Sequence, residues 1–164
     1  MADFLVKIDG VEGEATLSGY EGWIECTSMK HAISLPVVAQ ASGRTEGTSR
    51  HGAMLMLHAI DKATPALKLA CAAGANVGDV EVHRMRMIGG QSRPVEQIRL
   101  TKVMVSEEGV DTAIDPDTNE LAGEPDEVFA LAYADIRWTA QHYVDSADSG
   151  AVEGGWSTAT QSVL

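Results

Sequence analysis

The sequence predicts a mainly β protein, a sandwich or small barrel with one helix, and three observations carry that reading. Apolar and polar residues alternate through several short segments, glycines fall between those segments, and one segment carries helical signals at both of its ends. Asp3 to Ile8 sets Phe4, Val6 and Ile8 against Asp3, Leu5 and Lys7, a strand with one buried face, and Gly10 and Gly13 then turn the chain. A second strand is predicted from Gly22 to Ser34. Pro36 to Ser49, rich in glycine, serine and threonine, reads as a long loop, and a loop of that length without structure of its own is a candidate contact element. His51 to Ile60 follows as a strand that feeds the helix.

The helix signal is DKATPALKLACAAG, Asp61 to Gly74. Thr64 is placed to cap the free amides of the first turn, Pro65 suits the first helical position, and Gly74 can take the left-handed conformation that ends a helix. Between them Ala66, Leu67, Leu69, Ala70, Cys71, Ala72 and Ala73 spread apolar atoms almost all the way round, and only Lys68 offers water a polar group. A helix resting on one sheet shows water a wide polar face. This one is therefore expected to be covered on more than one side, the second cover being another copy of the protein.

Beyond the helix, Val80 to Ile88, a turn at Gly89 and Gly90, and Val95 to Ser106 form a hairpin, in whose second arm Ile98, Leu100 and Met104 oppose Arg99, Thr101, Val103 and Val105. Glu107 to Glu127 holds many acidic residues and no lysine or arginine, so it is expected to be a solvated loop. EVFALAYADIRW then places Val128, Ala130, Ala132, Ala134, Ile136 and Trp138 on an apolar face, with Phe129, Leu131, Tyr133, Asp135 and Arg137 opposite. The tail is polar from Asp145 to Ser149, turns at Gly154 and Gly155 into Trp156, and ends in a last strand within Ser157 to Leu164.

The length of 164 residues suits a single domain, 1–164, large enough to bury a core without metals or disulfides. A formal charge of -12, from 12 basic and 24 acidic residues, argues against a nucleic-acid partner, because phosphate contact needs a basic surface. MADFLVKIDGVEGEA lacks a signal peptide's long apolar region, and no segment approaches membrane-spanning length. The protein is expected to be made in the cytoplasm and, if it leaves, to leave without a cleaved signal. Cys26 and Cys71 have neither metal-ligand nor redox spacing and read as small buried thiols, with a single disulfide between them left open.

No catalytic constellation emerges. Asp115, Asp117 and Asn119 alternate like calcium-loop ligands, but Glu120 stands where glycine is needed and Asp126 where a bidentate glutamate belongs, which favours an acidic turn. His31, His51, His58, His83 and His142 are scattered over separate elements without metal-ligand spacing. No serine sits in G-x-S-x-G, and Gly89-Gly90-Gln91-Ser92 lacks the strand-to-helix context of a phosphate loop. No catalytic, cofactor or metal residue is assigned. Arg84, Arg86, Arg99, Lys102 and Arg137 come from predicted strands and read as solvated faces, pairing with the acidic loop of a neighbouring copy being the second reading.

FLVKIDGVEGEA, DKATPALKLACAAG, VMVS at Val103 to Ser106, LAYADIRW and Gly155-Trp156 occur in this order over almost the full length. In these segments the chain resembles the haemolysin-coregulated proteins (Hcp), tube-forming components of bacterial type VI secretion, with a helix signature D-K-[AS]-[ST]-P-x-L-x-x-A-C-x-x-G. The resemblance implies a small β-barrel of two antiparallel sheets flanked by one helix, about Thr64 to Ala73. It also implies a structural and non-enzymatic role, in hexameric rings that stack into a tube, are expelled by contraction of a sheath and carry small effectors in the lumen. The partners it implies are the protein itself, the sheath, spike and baseplate proteins, and effector proteins, with no nucleic acid and no membrane insertion.

Carried onto this sequence, the resemblance assigns Ala66, Leu69 and Ala73 to a subunit interface, Gly43, Arg44, Asp115 and Asp117 to ring stacking, and Ser28 and Lys30 to the lumen. The chain departs from its relatives in the second strand, where Met29, Lys30, His31 and Ala32 stand in place of an aromatic-Ser-Trp-Gly run. Ala132 likewise replaces the asparagine common before the family's tyrosine. The competing readings are a monomeric β-barrel that binds a small ligand in its cavity, and an enzyme assisted by a metal at the acidic loop.

Overall fold

A computed structural model describes residues 3–36, 47–111, 117–119 and 126–164. The strands are β1 (Phe4–Ile8), β2 (Ile24–Lys30), β3 (Ile33–Ser34), β4 (Arg50–His51), β5 (Met54–Ala59), β6 (Asn76–Ile88), β7 (Gln91–Asp111), β8 (Asp126–Ala132), β9 (Asp135–Val144), β10 (Ala147–Ser157) and β11 (Ser162–Val163), with helix α1 (Thr64–Ala73) between β5 and β6. In the large sheet β7, β6, β1, β2, β5 and β8 lie side by side, and β8 returns to pair with β7, closing a six-stranded barrel. From the same β7, strands β9, β10 and β11 continue the sheet beyond the barrel, while β3 and β4 form a separate small ribbon. The barrel with its single helix agrees with the fold the sequence predicts.

One strand makes closure possible. β7 is 21 residues long, about 65 Å at a strand's rise per residue. Its stretch Glu96 to Thr101 pairs with β9, whereas Met104 to Asp111 pairs with β8. Between the two, Lys102 is left-handed at φ 51, and the register with β6 shifts so that Thr101 and Lys102 together face Asp79. Such a bulge advances the side-chain alternation by one residue. Ile98 and Leu100 before it and Val103 and Val105 after it therefore all point inward, while Met104 is 41% exposed. Strict alternation groups Met104 with Ile98 and Leu100; the bulge overturns that pattern.

Similar interruptions correct other elements. The strand predicted over Gly22 to Ser34 breaks after Lys30, and that over His51 to Ile60 breaks at Gly52 and Ala53. EVFALAYADIRW breaks at Tyr133 and Ala134, so Phe129 and Leu131 fill the core together with Ile136, and Val128 is only half-buried. Gly154 and Gly155 lie inside β10 opposite Trp138 and Arg137, not at a turn. A Cβ at Gly155 would come within 3.1 Å of both Arg137 Cγ and Leu164 Cβ, so the residue is small because two side chains cross it.

The acidic segment is corrected most. Its two ends are strand: β7 runs on through Glu107 to Asp111 and β8 starts at Asp126. A register shift between Val105 and Glu107 turns Glu108 inward, and Glu127 is fully buried. Residues 112–116 and 120–125 lie outside the described residues. Cys26 is buried, Cys71 half-buried, and both are free thiols.

The interior is filled by side chains such as Val6, Ile24, Met56, Leu100, Phe129 and Leu131. β1 is covered on its outer face too, because the loop after it folds back and packs Ala15, Leu17, Tyr20 and Trp23 over Leu5 and Met85. Replacing Lys102 by valine, whose branched side chain suffers most in the left-handed region, is expected to cost about 1–2 kcal/mol. Glycine there is expected to cost little or nothing, and urea denaturation of the two variants measures the difference.

Candidate functional site

Helix α1 lies against β7 with Ala63 and Leu67 in the barrel core. Its start differs from the sequence expectation. The N-cap is Ala63, without a side-chain cap bond, and Asp61 Oδ1 instead accepts from the Ala63 amide at 2.8 Å. Thr64, inside the helix, donates its hydroxyl to Glu127 Oε2 at 2.6 Å and accepts from the Asp61 amide at 3.2 Å. Pro65 sits in the first turn, and Gly74 ends the helix in the left-handed region at φ 59, with the Ala75 amide closing on the Ala70 carbonyl at 3.1 Å, as the sequence indicates.

Beneath the helix lies a buried polar cluster that the charge run concealed. Lys68 Nζ reaches down to Glu127 Oε1 at 2.8 Å and lies 3.8 Å from Glu108 Oε1. His58 is fully buried, with Nε2 3.4 Å from Glu127 Oε2 and Nδ1 3.7 Å from Asp61 Oδ1, and its ring meets Phe129 edge-on. Burial holds the His58 imidazole below its ordinary range and therefore neutral. Burial by itself would raise Glu127, but the hydrogen bonds from Lys68 and Thr64 and the charge of Lys68 hold it below the usual carboxylate range. Glu108 goes the other way, raised by burial and by the charge of Glu127.

That cluster decides what the helix shows to solvent. Pro65, Lys68, Leu69, Ala72 and Ala73 are exposed and recur at the three- and four-residue spacing of one helical face. Leu69 is 70% exposed. Since Lys68, the polar member, turns its ammonium back to Glu127, the stripe it leaves is apolar. Two residues assigned to the subunit interface, Leu69 and Ala73, lie on this stripe, and Ala66 is half-buried at its border.

The remaining assigned residues are dispersed. Ser28 and Lys30 are exposed on β2. The register aligns Lys30 with Leu55, Ala130 and Glu107 across the outer face of the barrel, and Ser28 with Leu57, Val128 and Gly109. Leu55, Leu57 and Val128 are half-exposed there, so this wall too has apolar surface beside its polar groups. Gly43, Arg44 and Asp115 lie outside the described residues; Asp117 is exposed on a turn next to Thr118 and Asn119. Among the described residues no group of three or more His, Cys, Asp or Glu side chains could hold a metal ion.

The basic residues form no uniform band. Arg99 lies opposite Arg137 on one side and Glu81 on the other, Glu81 faces Lys7, and Arg99 Nη2 pairs with Asp79 Oδ2 at 3.0 Å. The row thus mixes its signs. One grouping escaped the sequence altogether: His31 and His51, expected to stand apart, meet at the hydroxyl of Tyr133. No spacing rule finds a contact between residues 20 and 82 positions apart; only the breaks after β2 and β8 bring them together.

The family model described as "Type VI secretion system effector, Hcp" matches residues 5–140 of the chain. No curated protein matches it in sequence. Among solved structures the chain is similar to one described as a type six secretion system protein, with 22% identity, a TM-score of 0.85 and 100% of both chains covered. It is also similar to Hcp1 from Salmonella typhimurium, at 19% identity and TM-score 0.76 with 100% of both chains covered. A type VI secretion system effector from Yersinia pestis gives 21% identity and TM-score 0.71 over 94% of this chain and 99% of that one. At these identities the structural likeness is one of fold, and the matched residues 5–140 carry the family.

Because Leu69 is exposed, Leu69→Asp is expected to change the stability of the dilute single chain by no more than about 0.5 kcal/mol. Leu67 and Leu69 are both apolar residues of one helix, yet their exposures are 0% and 70%. Leu67→Ala, in the core, should cost about 2–5 kcal/mol, and Glu127→Ala about 1–3 kcal/mol because the buried Thr64 hydroxyl loses its acceptor while half-exposed Lys68 turns to water. Equilibrium denaturation of the three variants orders them.

Proposed function

The chain belongs to the Hcp family of type VI secretion, and we propose that it works there as a structural tube subunit, forming hexameric rings that stack and are expelled. One observation carries this reading: a firmly anchored helix presents Leu69, 70% exposed, on a stripe whose sole cation is drawn inward. An exposed apolar stripe of this kind marks a surface that a partner covers. In a ring of like subunits, that partner is the next copy, contacted head to tail. Ser28 and Lys30, beside half-exposed Leu55 and Leu57, are assigned to the lumen wall, where small effector proteins ride. Gly43, Arg44, Asp115 and Asp117 are assigned to the contact between stacked rings. The sheath, spike and baseplate proteins complete the set of partners, and the subunit is secreted from the cytoplasm without a catalytic role of its own. No helix among the described residues is long and apolar enough to cross a membrane.

A ligand-binding barrel would keep an empty interior and a polar outer helix face. Here the interior is packed, and hollows such as the groove of about 350 Å³ beside Arg99, Arg137 and Glu153 are open to solvent. Negative-stain electron microscopy of the purified protein is expected to show rings of about six subunits. Leu69→Asp should remain folded yet form no rings. A wild-type protein that stays a monodisperse monomer at high concentration, or a Leu69→Asp variant that forms normal rings, would sink the reading.

A further inference from the structure

Three side chains outside the helix stripe converge on one oxygen, that of Tyr133, whose ring packs against the edge of the barrel core. His31, just past the end of β2, places Nε2 2.7 Å from the hydroxyl of Tyr133, and His51 of β4 places Nδ1 2.9 Å from the same atom. Tyr133 stands at the corner between β8 and β9, which is fixed by the Ala134 amide on the Thr101 carbonyl and by the Thr158 amide and hydroxyl on the Ala134 carbonyl. The β3–β4 ribbon that hangs from this corner has only two residue pairs, Ile33 with His51 and Ser34 with Arg50. Ile33 and Leu35 are 45% and 49% exposed, so the ribbon buries little of its own. A two-stranded piece of that size does not hold itself together in water.

The hydrogen-bond inventory of the three groups limits how many protons they accept. With both imidazoles neutral, the phenol donates its one hydrogen to the first ring and accepts from the N–H of the second, so every partner is satisfied. A first added proton goes to the far nitrogen of the ring that already donates, and the shared oxygen is unaffected. A second must take the nitrogen that receives the phenol hydrogen. Two N–H groups then aim at one oxygen, the phenol hydrogen loses its acceptor, and two cations face each other across a single atom.

Among the described residues no carboxylate stands close enough to His31 or His51 to offset that repulsion. The chain neighbours of the two rings, Lys30 and Arg50, are themselves cations, and the Asp135 carboxylate beyond Tyr133 is engaged by Ser157 and Thr101. Burial, with the charge of His51 added in the first case, holds both His31 and His51 below the ordinary histidine range. Burial also pushes Tyr133 up to about 12, so the phenol keeps its proton. The sign follows from these directions: the hold is complete above the unfolded histidine value of 6.5 and is lost as pH falls through the lowered values below it.

We propose that His31, Tyr133 and His51 form a proton-operated latch, which seats the β3–β4 ribbon on the barrel at neutral pH and frees it when both rings are protonated. The latch is complete within one chain and does not depend on the tube reading. Hydrogen–deuterium exchange of the full chain, corrected for intrinsic rates, tests it at about pH 7.5 and about pH 5. Protection of peptides covering the ribbon is expected to fall about tenfold or more at the lower pH, with the β6–β7 hairpin unchanged. Tyr133→Phe should show the low ribbon protection at both pH values. His51→Gln, which leaves one ring to protonate, should keep the ribbon protected in acid. Wild-type protection that is the same at both pH values, a loss shared equally by the hairpin, or a His51→Gln ribbon that opens like the wild type overturns the latch. If Tyr133→Phe fails to fold, as hairpin exchange would reveal, the His51→Gln result decides.

Discussion

The left-handed bulge at Lys102 is the constraint on which the rest of the molecule depends. A single strand, β7, must serve as one wall of a closed barrel and also as the origin of a sheet extension, and those tasks require its two halves to pair with different strands. Strict alternation would leave either Ile98 and Leu100 or Val103 and Val105 facing outward. One extra residue opposite Asp79 resolves the conflict, bends the strand and lets β8 reach it. Left-handed backbone at a non-glycine residue costs about 1–2 kcal/mol, far less than turning two buried valines to water. The strain persists because the core on both sides of Lys102 enforces it.

A second dependence runs from the barrel to the helix. Glu127 is inward-facing on β8, where an unpaired carboxylate would be strongly disfavoured. Thr64 and Lys68, one helical turn apart on α1, satisfy both of its oxygens and so fix the helix in rotation as well as position. The same ion pair draws the one cation of the helix off its outer face. Anchoring and exposure are therefore coupled: what holds α1 to its own barrel is also what leaves Leu69, Ala72 and Ala73 without a polar neighbour. An apolar stripe with a free lysine in its centre would make a weaker docking surface, because the ammonium would have to be desolvated on contact.

Much of this was legible in the sequence where local rules decide. The helix bounds, the left-handed Gly74, the hairpin at Gly89 and Gly90 and the many short strands follow from turn chemistry and periodicity. What escaped were interruptions of parity. Val103 and Val105 look like the far face of a regular strand, and Phe129 and Leu131 like the outer face of a longer one, because a period-two pattern carries no mark of the bulge or corner that resets it. Thr64 has the sequence position of a cap, but a buried carboxylate 63 residues away takes its hydroxyl instead. The acidic neighbours of Glu127 in sequence suggest a solvated side chain, yet its hydrogen-bond partners come from the helix. The meeting of His31 and His51 depends on two strand breaks that no spacing rule registers.

The distribution of polarity argues against a container for small ligands. A barrel that binds a molecule inside keeps space there and presents charge outside. In this chain the space is filled by Phe129, Met56 and Leu100, the ionised Glu127 and neutral His58 are inside beneath the helix, and Leu69 with half-exposed Leu55 and Leu57 faces outward. Thr64 and Lys68 compensate the buried Glu127, whereas the exposed Leu69 leaves its burial energy unrealised in the isolated chain. The arrangement becomes favourable only where the outer surfaces lose their water as well. On the reading proposed above, the Leu69 stripe meets the next subunit of a ring, and the stabilisation missing from the single chain is recovered at that contact.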